Sequence, residues 1–85
     1  MSPLKRRKPP YPVIGQTIRY FRSEAELTQV ELAHRVEIHP TEISRLESGK
    51  RNPKWETMKR LAKGLGVDCA EMVKFAEELD KKQSG

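Results

Sequence analysis

The chain has 85 residues, of which 35% are hydrophobic and 34% charged, with a formal net charge of +5, so it can form one small domain with a thin core. Its single cysteine, Cys69, excludes an intramolecular disulfide, and the spacing of Cys69 from His34 and His39 matches no zinc pattern, so neither a metal nor a cofactor is expected. No apolar run approaches the roughly 18 residues of a membrane helix, and no apolar segment follows the basic N-terminus, so a soluble, cytoplasmic protein is predicted.

Residues 1–12 contain four prolines and four basic side chains, and we expect them to form a flexible arm. The four basic residues are consecutive, and without them the positive and negative charges of the chain nearly balance. Such an arm can follow DNA phosphates or enter a neighbouring groove, can serve as a nuclear address in a eukaryotic protein, or can only aid solubility. DNA contact is the preferred interpretation for Lys5, Arg6, Arg7 and Lys8.

The first helix is predicted over residues 13–25. Ile14, Ile18, Phe21 and Ala25 recur at the spacing of one helix face. This stripe predicts the side of the helix that packs on the core.

Two short helices joined by a tight turn are predicted at residues 29–36 and 40–47. Thr28 precedes the first of them and forms the capping-box pattern with Glu31. Pro40 suits the first position of the second, because proline has no N–H to leave unpaired there. The helical period assigns to the core Leu32, Ala33 and Val36 in the helix at residues 29–36, and Ile43 and Leu46 in the helix at residues 40–47.

The opposite side of the second short helix carries Thr41, Ser44, Arg45 and Ser48. Small hydroxyls and one arginine suit the reading of base edges in a major groove, where arginine can bond guanine O6 and N7 together. Pro40 and the Thr41 methyl group can touch a thymine methyl group. The alternative is an ordinary solvated helix face.

Polar residues flank this helix at both ends. His39, just before it, can contact a phosphate or a base or can cap the helix, and capping is the preferred interpretation. The turn-rich loop 49–53 places Lys50, Arg51 and Asn52 where they can hold the DNA backbone. A solvated loop is the alternative.

Two further helices are predicted, at about residues 55–64 and, after Asp68, to about residue 79. We expect Lys59, Arg60 and Lys63 to face solvent and only to aid solubility. The core stripe predicted for the fourth helix is Trp55, Met58, Leu61, Ala62 and Leu65. The apolar residues of the fifth helix are Cys69, Met72, Val73, Phe75, Ala76 and Leu79, which span more than the roughly 100° that a surface helix needs.

One series of residues runs through most of the chain: Ile18, Arg19, Arg22, Leu27-Thr28-Gln29, Glu31-Leu32-Ala33, Ile43-Ser44-Arg45-Leu46-Glu47, Gly49-Lys50-Arg51, Pro53, Leu61-Ala62 and Leu65-Gly66-Val67. In this order and at these spacings, the series resembles the helix-turn-helix of the Xre and phage-repressor (lambda repressor-like) DNA-binding proteins. The similarity covers about residues 13–79 and implies a compact, all-α, five-helix domain, followed by a frayed tail at residues 80–85.

The resemblance implies roles for particular residues. Arg22 should form a structural ion pair with Glu47, the alternative being two independent surface charges. Gln29 should approach a phosphate at a helix N-terminus. The wide apolar face of the fifth helix may be read in two ways: as a dimer contact, or as a surface wrapped by the first helix and the arm. The residues proposed for the dimer contact are Met72, Phe75 and Leu79.

Two residues depart from the family, which usually has glycine where this chain has Glu26 and Glu37. If either glutamate adopts a positive φ, the strain is about 1–2 kcal/mol.

Together these features predict a sequence-specific regulator that binds double-stranded DNA. The simplest form is a dimeric repressor that binds a palindromic operator. We expect a nucleoid-associated protein of prokaryotic or phage origin. The alternative is an antitoxin-type module that neutralises a protein partner and binds its own promoter secondarily. The sequence shows no nucleophile–base pair, carboxylate pair or phosphate loop, so an enzyme is not expected.

Overall fold

A computed structural model describes residues 11–84 of the chain, with side chains from residue 13 to residue 83. Over this range the fold is all-α, as predicted, with turns and loops between the helices. The basic cluster Lys5–Lys8 of the arm lies outside the described residues. The helices are α1 (Tyr11–Glu24), α2 (Gln29–Val36), α3 (Pro40–Glu47), α4 (Trp55–Leu65) and α5 (Cys69–Ser84).

The bounds of the first and last helices differ from the prediction. Helix α1 begins at Tyr11 rather than at residue 13, so it includes the last two positions assigned to the arm. Helix α5 continues to Ser84, so residues 80–84 are helical where a frayed tail was predicted. None of the helices described between residues 11 and 84 has the length and apolarity to cross a membrane.

Side-chain caps fix the starts of α2 and α3. The Thr28 hydroxyl accepts from Glu31 N at 3.0 Å, and Glu31 Oε1 accepts from Thr28 N at 2.8 Å, which completes the predicted capping box. At α3, His39 Nδ1 accepts from Thr41 N at 3.0 Å, with Pro40 at the first helical position. Capping is therefore the role of His39 in this structure.

The two glutamates at positions where the family usually has glycine both adopt a left-handed backbone conformation. Glu26, in the turn after α1, and Glu37, at the end of α2, each have a φ of 59°. Because side chains crowd the backbone in this conformation, each costs about 1–2 kcal/mol. The turns thus keep the shape that glycine would favour, at some expense of stability.

All five helices contribute to one core. Ile18, Leu32, Ile43, Leu46, Leu61 and Met72 are completely buried in it. The prediction that Met72 forms a dimer contact is therefore wrong, because its side chain is enclosed within its own chain.

The apolar face of α5 is covered mainly by α1. The ring of Phe75 stacks on that of Tyr20, with centroids 4.4 Å apart, and meets Phe21 edge-on at 5.4 Å. Of the two interpretations of this face, wrapping by the first helix thus accounts for most of it. Leu79 is half-buried.

Trp55 does not belong to the core, contrary to the prediction for α4. It is the first residue of the helix and is 62% exposed, whereas Met58, one turn later, is 6% exposed. The core stripe of α4 begins at Met58, because the tryptophan lies at the end of the helix, beyond the packed interior.

Candidate nucleic-acid interface

Helix α3 is divided sharply between a buried and an exposed side. Ile43 and Leu46 are completely buried. The residues proposed to read bases all lie exposed on the other side: Pro40, Thr41, Ser44 and Arg45. The packing of α3 thus leaves one arginine and two hydroxyls facing outward together.

An ion pair holds the end of α3 against α1. Arg22 Nε donates to Glu47 Oε2 at 2.6 Å, and Arg22 Nη2 donates to Glu47 Oε1 at 3.0 Å. Arg22 Nη1 also donates to Leu27 O at 2.8 Å. The hydrogen bond to Glu47 raises the pKa of Arg22, helped by the charge of Glu47 and opposed by burial. This is the pair that the resemblance implied, in a two-point geometry that fixes orientation as well as distance.

Gln29 joins this ion pair. Its Nε2 donates to Glu47 Oε1 at 2.9 Å, so Glu47 receives hydrogen bonds from α1 and α2. The side chain was predicted to bind a phosphate, but in this structure it holds α3. Because the capping box uses the N–H groups of Thr28 and Glu31, the backbone N–H groups of Gln29 and Val30 are the remaining donors for an anion there.

The loop after α3 turns at Gly49, where φ is 82°. Lys50 and Asn52 beyond it are exposed. Arg51 Nε lies 3.4 Å from Glu42 Oε2, and the side chains are 53% and 29% exposed, so this surface pair contributes at most about 1 kcal/mol. Glu42, which the sequence analysis did not single out, therefore places a loop cation beside the exposed side of α3.

Gly15 is a second residue that the sequence analysis missed. A Cβ at this position would lie 2.4 Å from Leu46 O and 2.6 Å from Glu47 O. The backbone of α1 thus lies directly against the carbonyl end of α3, an approach that only glycine permits. An isolated glycine inside a helical pattern was the available signal, since such a residue usually has a packing reason.

Within residues 11–84, no three His, Cys, Asp or Glu side chains are grouped so that they could hold a metal ion.

Two helices joined by a tight turn, the second exposing a polar side, define a helix-turn-helix DNA-binding domain. The sequence model of a family described as a helix-turn-helix domain matches residues 13–75. The chain belongs to this family and is, by class, a sequence-specific DNA-binding regulator of transcription.

Known proteins agree with this assignment. The chain is 33% identical over 64 residues to control protein C.BamHI of Bacillus amyloliquefaciens, covering 74% of this chain and 79% of that protein. It is 38% identical over 71 residues to the cryptic phage CTXphi transcriptional repressor RstR of Vibrio cholerae, covering 82% and 64% of the two proteins. The crystal structure of the clp gene regulator ClgR from Corynebacterium glutamicum is similar with a TM-score of 0.86 and 25% identity, over 91% of this chain and 82% of that one.

Proposed function

We propose that the chain is a repressor that occupies a palindromic operator as a dimer, with α3 of each subunit in the major groove. The observation that carries the proposal is the exposed polar side of α3, opposite the completely buried Ile43 and Leu46. A helix with this division can enter a groove about 12 Å wide while its other side stays in the core.

We assign base reading to this exposed side. Arg45 is the only cation on it and can bond guanine O6 and N7 in a bidentate manner, which discriminates by about 1–3 kcal/mol. Thr41 and Ser44 are the further readers, and the ring of Pro40 together with the Thr41 methyl group provides apolar contact for a thymine methyl group.

We assign phosphate contacts to groups that flank α3. Lys50 and Asn52 are exposed in the loop after it, and Arg51 lies there beside Glu42. The first-turn N–H groups of α2 offer a second anchor. The arm residues Lys5, Arg6, Arg7 and Lys8 complete the proposed set, and such contacts set register without reading sequence.

The proposed dimer contact lies on α5. With Met72 enclosed, the proposed contact on α5 reduces to the half-buried Phe75 and Leu79, next to Tyr20, which is 43% exposed. Repression is supported by the similarity to the repressor RstR. The site of action would be the nucleoid of a bacterium or the DNA of a phage.

Selection of bound sequences from random duplex DNA tests the proposal, with the Arg45→Ala variant selected in parallel. The native chain should enrich an inverted repeat whose half-sites are about one helical turn apart. Arg45→Ala should lose preference at one position of each half-site. A single unrepeated half-site would contradict the dimer, and no enrichment would contradict sequence-specific binding.

A further inference from the structure

A concave surface lies where the ends of α2 and α4 meet. This cleft has a volume of about 550 Å³. None of the residues proposed to contact DNA lines it. Its lining consists of Arg35, Val36, Glu37, Arg60, Lys63, Gly64, Leu65 and Gly66.

Each of the two helices contributes an arginine that binds the carbonyl end of the other. Arg60 Nη2 on α4 donates to Val36 O at 2.6 Å and to Glu37 O at 2.9 Å. Arg35 Nη1 on α2 donates to Gly64 O at 3.3 Å. The expectation that Arg60 only aids solubility is therefore wrong, because the side chain satisfies the last carbonyls of α2.

These contacts leave much of each guanidinium available. An arginine has five N–H donors in a rigid fork, and the backbone contacts use only Nη2 of Arg60 and Nη1 of Arg35. Arg60 is thus held in place by two carbonyls and Arg35 is oriented by one, and both have donors to spare. Less side-chain freedom is lost when a pre-oriented group binds a ligand, so the pair is organised for recognition in advance.

The chemistry of the lining favours a carboxylate beside an apolar group. Arg35, Arg60 and Lys63 outnumber the single acid Glu37, and Val36 and Leu65, which are 6% and 8% exposed, add a small apolar area to the lining. Guanidinium groups match carboxylates in two-point geometry.

We propose that this cleft docks an acidic segment of a protein partner, whose carboxylates bind Arg35 and Arg60 and whose apolar side chains lie against the small exposed edges of Val36 and Leu65. Duplex DNA fits less well, because its width keeps it out of a cleft of this size, whereas a single extended peptide segment can enter. The proposal is independent of operator binding, since the cleft shares no residue with the proposed DNA contacts.

The test is a titration of isotope-labelled full-length protein, followed by NMR of the arginine Nε–Hε groups. The probe is a short peptide that alternates Glu and Leu, and the matched peptide has Gln in place of Glu. The acidic peptide should shift the Arg35 and Arg60 signals, and the Gln peptide should not.

Two charge reversals on α4 localise the effect. Lys63→Glu changes the cleft lining without touching either arginine, so the affinity for the acidic peptide should fall about tenfold. Lys59→Glu is the matched control, because Lys59 is exposed one turn earlier on the same helix and does not line the cleft. Its effect should stay within about twofold.

Several results would overturn the proposal. Equal losses from both variants would show attraction by net charge alone. Binding of free succinate as tight as that of the peptide would make the cleft a site for a small anion. Shifts of Arg35 and Arg60 on addition of a random DNA duplex, without shifts on addition of the peptide, would make it a nucleic-acid contact.

Discussion

Arg22 on α1 donates two hydrogen bonds to the carboxylate of Glu47 on α3, with N–O distances of 2.6 and 3.0 Å. Gln29 at the start of α2 donates to the same carboxylate at 2.9 Å. Three helices therefore meet at one side chain, which lies at the end of the proposed reading helix. The position of α3 depends on this junction as well as on the apolar core.

Removal of one partner of the ion pair should be costly. Arg22→Met should lower the free energy of unfolding by about 3 kcal/mol, because Glu47, whose side chain is 4% exposed, would keep an uncompensated charge. Urea unfolding followed by circular dichroism measures this loss. The pKa of Arg22 is raised, so its contribution is complete below the ordinary arginine pKa and is lost only as the pH rises past the folded value. Measurements at neutral pH therefore report it in full.

The exposed pair provides the control for this prediction. Arg51→Met removes a partner from the Arg51–Glu42 pair and should cost at most about 1 kcal/mol. The double variant Arg22→Met/Glu47→Met should be more stable than Arg22→Met alone, since no buried charge is then left unpaired. A double variant that is less stable would show that the loss comes from packing.

Glycine at either left-handed glutamate should stabilise the fold. Glu37→Gly removes about 1–2 kcal/mol of strain but adds about 0.5–1 kcal/mol of chain entropy to the unfolded state, so the net gain should be roughly 0.5–1 kcal/mol. The bonds from Arg60 to the backbone carbonyls of Val36 and Glu37 involve no Glu37 side-chain atom and should persist. Thermal unfolding measures the gain.

Glu77→Gly is the matched control, because Glu77 is exposed within α5. It should lower stability by about 1 kcal/mol, since glycine is a poor residue for a helix interior. A loss of stability in Glu37→Gly as well would mean that the left-handed turn carries no strain.

Arg45 and Lys50 should differ in how they contribute to DNA binding. Arg45→Ala should reduce the preference for the selected operator over random DNA, by about 1–3 kcal/mol if a bidentate guanine contact is lost. Lys50→Ala should weaken binding to all duplexes alike and should reduce the salt slope of log affinity by about 0.9. Fluorescence anisotropy at several salt concentrations separates the two effects. Uniform losses from both variants would show that the reading side has been misassigned.

Two glycines should respond differently to alanine. Gly15→Ala should cost about 3 kcal/mol or more, because its methyl group would meet the backbone oxygens of Leu46 and Glu47, which cannot move aside. At Gly64 the nearest atom to an added Cβ is Val36 Cγ1, at 2.2 Å. The Gly64→Ala penalty should therefore shrink in a Val36→Ala background, as a double-mutant cycle would show. The Gly15→Ala penalty should be unchanged in that background.

Local patterns were the part of the fold that the sequence predicted well. The capping box of Thr28 and Glu31, the cap at His39 and the two-sided character of α3 each depend on residues close together in the chain. The expectation for Glu26 and Glu37 came instead from the resemblance, since the family usually has glycine at these two positions, and both residues do adopt a positive φ.

The errors concern relationships between helices. Periodicity groups Trp55 with Met58, but it does not show that the buried stripe of α4 starts only at Met58, one turn after the helix begins. It also gives α5 a wide apolar face without showing that Met72 is enclosed or that Tyr20 covers Phe75. The engagement of Gln29 with Glu47, and that of Arg60 with the end of α2, depend on how separate helices meet.

Hydrogen bonds fix both ends of helix α3 in the absence of DNA, at the His39 cap where it begins and at Glu47 where it ends. Little ordering of this helix is then required when a complex forms. Encounter should accordingly be governed by charge steering and be nearly the same for all sequences. Different operators should therefore differ in the lifetime of the bound complex rather than in the rate at which it forms.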